Sequence, residues 1–370
     1  MALGIPMAMS AFAPTAGAGT QATPIADQLR STAHAFAGAS AANGMLAGTS
    51  DADLAVNAVR CLPLDGRTYC LHIGWVDHAP SAAELRDRVG AEAAIARRAT
   101  TSTELDARGD MPLSVQLRNW ANQPRETRVA QEKGELDQAI QALGKVKLWD
   151  QVTAGKPVPS DLVERYPELA GQIQQLGYRD GRSAAQIDEG GVGDPNRGQK
   201  QINSYYCGPT SFLAMAWTDP RRGDELSPGN GYTQQFWAGR LGTTTDGTAI
   251  TAINANINTH LTWKNVIGDY VVVGISGWNV ARWQNLFRNH LIKAPVQLHP
   301  VLYEGNNKYR MTTGGHFNVA RAFNFNPNNP VWQISIYEPA GGSRVPVSFW
   351  EDHANIIDQN HRHPMKNISY

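Results

Sequence analysis

Apolar residues recur near every third or fourth position from Ala82 to Arg98, among good helix formers, and predict an amphipathic helix. The same period predicts helices over Leu113–Asn122, Glu132–Trp149 and Asp161–Leu176, with Pro112, Pro124 and Pro157 as punctuation. Beyond residue 200 the pattern changes. Phe212, Leu213, Met215, Ala216 and Trp217 give a short apolar helix face, stopped at Asp219-Pro220. Further helices are predicted over Gln234–Gly239, from Asp246-Gly247-Thr248 to about Asn258, and over Asn279–Leu291. Then come segments with strand character: Val296–Tyr303, Phe317–Phe323, Trp332–Tyr337 and Val345–Phe349. Turns are predicted at Glu304-Gly305-Asn306-Asn307 and Asn326–Pro330. Helices followed by an antiparallel sheet are an α+β order. Residues 351–370 are polar and predict no clear element.

Ahead of the helices, Cys61-Leu-Pro-Leu and Arg67-Thr-Tyr-Cys70 flank Asp65-Gly66, a hairpin-turn dipeptide. Such a hairpin brings Cys61 and Cys70 within disulfide range; two buried free thiols are the plainer alternative. Asp188–Lys200 is rich in glycine and charge, as a linker and a processing site would be. The expected organisation is therefore a leading segment 1–26, a mostly helical region 27–187, a linker 188–200 and a catalytic region 201–370. The helical region reads as an N-terminal domain or as an inhibitory pro-segment lying along a cleft.

Charge narrows the function classes. Lys plus Arg number 33 and Asp plus Glu 33, so no basic field favours nucleic acid or an anionic membrane surface. Residues 1–26 carry no charged side chain, and Ala16-Gly17-Ala18 has the shape of a signal-peptidase site, although no basic residue precedes it. This predicts a signal-peptide-like or disordered segment and a secreted protein. No later apolar run has the length of a membrane span. Secretion would favour a Cys61–Cys70 bridge, leaving Cys207 as the odd cysteine.

Cys207 opens the predicted apolar helix, followed by Gly208 and Pro209; proline is tolerated in a first turn. A thiol at the positive end of a helix dipole is favoured as thiolate, the nucleophilic form. Gln201 lies upstream, near enough for its amide to join the Cys207 backbone N–H around a developing oxyanion. His316 follows Gly314-Gly315 at the entry of one predicted strand, and Glu338 precedes Pro339 at the exit of the next. Antiparallel pairing would bring those ends together, base beside orienter.

The order Gln201, Cys207-Gly-Pro, Gly-His316 and Glu338-Pro resembles the papain-like fold, and more closely the bacterial C39 and C39-like cysteine peptidases. Leu241-Gly-Thr-Thr-Thr-Asp-Gly-Thr248 also resembles that family. Glu338 stands where the family pattern has Asp. The resemblance covers roughly residues 196–350. It implies a helix-borne cysteine packed on an antiparallel sheet, and a peptide or protein substrate. The roles it implies are Cys207 as nucleophile, His316 as base, Glu338 as orienter and Gln201 at the oxyanion hole. It implies no metal or cofactor.

Each assignment has a rival. Cysteine is often simply buried. His299 is a second candidate base, between Leu298 and Pro300. Asn324 or Asn326 has the acceptor an orienter needs. His361-Arg-His363 reads as a polar tail, lacking further ligands for a metal. Acyl transfer to amines, cell-wall amide hydrolysis and a catalytically silent binding module are the competing functions.

Overall fold

The computed structural model describes residues 24–42, 49–99, 109–175, 189–303, 313–326, 329–341 and 346–370. Residues 1–23 of the signal-like segment 1–26, the turn expected at 304–307, residues 327–328 of the turn expected at Asn326–Pro330 and Val345 lie outside them, while residues 24–26 open a helix, Pro24–Ala42. The described strands are β1 (Cys61–Leu64), β2 (Arg67–Cys70), β3 (Gly74–Val76), β4 (Glu189–Gly191), β5 (Val272–Gly274), β6 (Val296–Leu298), β7 (Asn318–Asn326), β8 (Asn329–Tyr337), β9 (Ser348–Asp352) and β10 (Asn367–Ser369). They form one sheet in the order β1-β2-β3-β5-β10-β6-β7-β8-β9, with β4 pairing on β7. The fold is mixed α/β, and the sheet is mixed rather than purely antiparallel. β3 meets β5 in parallel, Trp75 opposite Val273.

That junction decides how the two halves of the chain relate. The hairpin of β1 and β2 extends the same sheet that carries His316 and Glu338. Asp65 and Gly66 both have positive φ, 46° and 79°, the type I′ geometry that suits a two-residue hairpin. The register pairs Cys61 with Cys70, and the two are disulfide-bonded. The helix Arg125–Thr153 turns Leu136, Ile140, Leu143 and Trp149 into a core shared with Trp283, Phe287 and Ile368. The helical region and the sheet therefore share one apolar interior. A second core lies under the Cys207 helix, where Phe212, Leu213 and Met215 meet Ile253, Ile257 and Phe317.

Several elements depart from expectation. The helix expected over Asp161–Leu176 is broken into Leu162–Arg165, a 3-10 turn Pro167–Leu169, and Ala170–Gln175. Pro167 has no N–H to continue the ladder. The expected linker carries β4, whose Gly190 and Gly191 pair with Phe323 and Ala322. The helix expected from Asp246 begins at Ile250, because Thr244 and Gly247 close a tight turn first. The polar end of the chain supplies a helix, His353–Arg362, and then β10, which lies between β5 and β6. Among the described residues no helix is long and apolar enough to cross a membrane.

Candidate functional site

Cys207 is the first residue of the helix Cys207–Thr218 and is fully buried. Pro209 falls in the first turn, where a missing N–H costs no intrahelical bond. Ser211 Oγ–H donates to the Phe317 carbonyl, 3.1 Å away, and ties the helix to the chain just past His316. His316 sits ahead of β7, its N–H donating to Pro300 O at 3.0 Å. Glu338 follows β8, its N–H donating to Val347 O at 2.9 Å. The β7–β8 register sets Val319 opposite Tyr337, so the entry of one strand meets the exit of the other.

His316 Nε2 lies 2.5 Å from Glu338 Oε1. Glu338 is held in turn: Oε1 accepts from Ala340 N–H at 2.9 Å, and Oε2 accepts from Asn318 Nδ2 at 3.2 Å. Both His316 and Glu338 are fully buried. Burial works against the charged imidazole, yet the Glu338 carboxylate, and after it Cys207, lift His316 to about 10. Its Nδ1 makes no hydrogen bond of good geometry, although Cys207 acts on the ring as a charge and as a loose partner. The pattern of one ring nitrogen on a carboxylate and the other left to a thiol is the order a Cys–His pair requires.

The structure brings three of the four expected residues together. Gln201 is buried nearby in the chain, its N–H donating to Pro339 O at 2.7 Å, just beyond Glu338. Its side-chain amide, however, donates to the Asn203 carbonyl at 2.9 Å. That acceptor belongs to the local turn Asn203–Tyr206, whose Tyr206 N–H also donates to it. Of the rival orienters, Asn324 lies along β7 opposite Gln333, and the side chain of Asn326 is outside the described residues. The amide that does join the network is Asn318.

His299 belongs to a different network. It stacks on Phe317, ring centroids 4.6 Å apart, and its Nδ1 lies 2.6 Å from Asn367 Oδ1. Its Nε2 faces Asp110 Oδ1 at 3.1 Å. His363, expected in a polar tail, is only 1% exposed, and its Nε2 lies 3.0 Å from Asp110 Oδ2. Ligand atoms of Asp110, His299 and His363 all fall within 4.8 Å of one another, the spacing of a metal site. The hydrogen bonds favour a different reading. His363 Nδ1 accepts from Met365 N–H at 3.2 Å, so in the neutral ring Nε2 carries the hydrogen and donates it to Asp110. Burial, then the neighbouring His299, push His363 down to about 4 and keep it neutral at pH 7. Burial would raise Asp110, but His299 and the hydrogen bonds from both rings bring its carboxyl down to about 2. The cluster is a carboxylate clamped by two imidazoles.

Neither Asp110 nor His363 carries a sequence motif. The double glycine before His316 was the available signal: Gly315 has φ of 123°, and a Cβ there would come within 3.0 Å of Asp110 Cβ and 3.3 Å of His363 Nε2. A cavity of about 240 Å³ opens elsewhere, lined by Glu135, Asn258 and Tyr270, and no candidate catalytic residue reaches it. No model of a known protein family matches this chain, and no curated protein is a significant match to it.

Proposed function

We propose that this chain is a cysteine-type hydrolase of peptide bonds, built on a papain-like, C39-like arrangement. The observation that carries the reading is the 2.5 Å contact of His316 Nε2 with Glu338 Oε1, on a ring that Cys207 also acts on as a charge and as a partner. In this mechanism the Cys207 sulfur attacks a peptide carbonyl and forms a thioester as the C–N bond breaks. His316 passes a proton to the leaving amine, then takes one from the water that hydrolyses the thioester. Glu338 fixes the ring plane and offsets the imidazolium charge. The Cys207 and Gly208 N–H groups are the first-turn donors offered to the oxyanion, since Pro209 has none and the Thr210 N–H and Gln201 amide are engaged with Tyr206 and Asn203. The Cys61–Cys70 disulfide supports an exported protein, where such bonds persist.

The test is to incubate the chain with a mixture of peptides and read new termini by mass spectrometry, with Cys207→Ala as control. Cleavage that vanishes in the variant supports hydrolysis. A parallel reaction containing a primary amine separates hydrolysis from acyl transfer, and purified wall material tests the amidase alternative. Cleavage that persists in Cys207→Ala would place the chemistry elsewhere.

A further inference from the structure

Gly109, Asp110 and Met111 run through the candidate site as an extended segment. Thr248 pairs with it: the Thr248 N–H donates to Gly109 O at 3.0 Å, and Thr248 O accepts from Met111 N–H at 3.0 Å. Gly247 lies so close that a Cβ on it would come within 2.7 Å of the Gly109 and Asp110 backbone. Gly315 crowds Asp110 in the same way. Gly109 rests on the nucleophile itself, for a Cβ built there would overlap Cys207 Sγ. Asp110 turns its carboxylate to His299 and His363, and only 4% of the residue is exposed.

These are the contacts of an extended peptide ligand: main-chain pairing along an edge, a residue without a side chain over the reacting atom, and one side chain in a dedicated pocket. A buried carboxylate held by two rings is a built feature, because desolvating that charge without them is costly. We propose that His299 and His363 form a carboxylate-binding subsite beside Cys207, that its ligand is an extended peptide presenting an aspartate, and that Asp110 fills it from within the chain. The pocket stands on its own geometry; its meaning for substrate choice rests on Cys207 being the nucleophile. The Gly109 carbonyl is bonded to Thr248, so the occupant is seated without being presented for attack. With Asp110 in place the Cys207 thiol is covered.

The experiment is the rate of Cys207 alkylation by iodoacetamide, measured on the full chain with folding checked by circular dichroism and melting. Wild type should react slowly. Asp110→Ala should react faster by about tenfold or more, the factor that losing one charge-assisted hydrogen bond gives in an opening equilibrium. An end-blocked Gly-Asp-Met peptide added to Asp110→Ala should then restore slow alkylation, while Gly-Asn-Met should not. Replacing His363 by Gln in that background should remove the protection. If Asp110→Ala does not fold, Gly109→Ala takes its place for the rate, since it forbids the seat over Sγ and keeps the carboxylate. Folded variants that react at the wild-type rate overturn the proposal, as does equal protection by the two peptides. Turnover plays no part in this readout, so the subsite can fail while Cys207-dependent cleavage stands, and the reverse.

Discussion

His316 and Glu338 stand at the facing ends of two adjacent strands, Nε2 and Oε1 2.5 Å apart, both sealed from solvent. The carboxylate is the largest influence lifting the imidazole against burial, to about 10. Glu338→Gln keeps the shape and removes the charge. The His316 ring should then titrate nearer its ordinary value, a change visible in its NMR chemical shifts against pH. Turnover, measured in the Asp110→Ala form, should fall by roughly 10² or more, the scale of a general acid–base contribution. An unchanged His316 titration would show that the carboxylate does not act on the ring.

Cys207→Ala should abolish cleavage, because no thioester can form. Cys207→Ser should be nearly as inactive, since a hydroxyl is far harder to ionise. Both variants should melt close to wild type, as each replaces one small buried side chain by another. Substantial cleavage by Cys207→Ser would contradict the assignment.

Glu92 sets a pH dependence of stability. It is 5% exposed, and its Oε2 accepts from Leu113 N–H at 3.0 Å. Burial, then the charge of Asp110, raise it from 4.5 to about 8. The folded state thus holds this proton more tightly than the unfolded chain does. The stability it contributes is fully present below pH 4.5 and is lost as pH rises toward 8, on the order of a few kcal/mol. The change in denaturant midpoint from pH 5 to pH 8 should therefore be more negative in wild type than in Glu92→Gln. Parallel pH profiles in the two proteins would refute this.

Trp75 is 1% exposed and stands where the N-terminal hairpin joins the sheet. Trp75→Ala should cost about 3–5 kcal/mol. The chain should still unfold in one step, with fluorescence and circular dichroism coincident, because one core spans both halves. Two separated transitions in wild type would mean that the halves are independent domains.

The Cys61–Cys70 bridge closes a short loop, so its removal should cost less than long-loop bridges do, about 2–3 kcal/mol. Cys61→Ser/Cys70→Ser should lower the melting temperature, and unreduced peptide mapping of wild type should recover the two cysteines joined. Two free thiols in exported protein would contradict the pairing.

What the sequence made legible follows from range. Cys207, His316 and Glu338 each sit at an element boundary marked by neighbours: Gly208-Pro209, Gly314-Gly315 and Pro339. The hairpin was readable for the same reason, from Asp65-Gly66. Asp110, His299 and His363 come from three distant stretches and meet only once the sheet has formed. β3, β5 and β10 are three residues each, too short to show an alternation, yet they make the middle of the sheet. Gln201 was read from spacing, and spacing does not reveal that the Asn203 carbonyl takes its amide.

The position of β10 carries a consequence for how the molecule is made. Asn367–Ser369 lie between β5 and β6 and pair with both, Ile368 opposite Val273 and Ser369 opposite Gln297. The two wings of the sheet therefore have no common strand until these residues have left the ribosome. Everything synthesised earlier waits with open strand edges, and closure depends on contacts far apart in sequence, which form slowly. The sheet therefore closes late in folding, when this distant strand docks between β5 and β6.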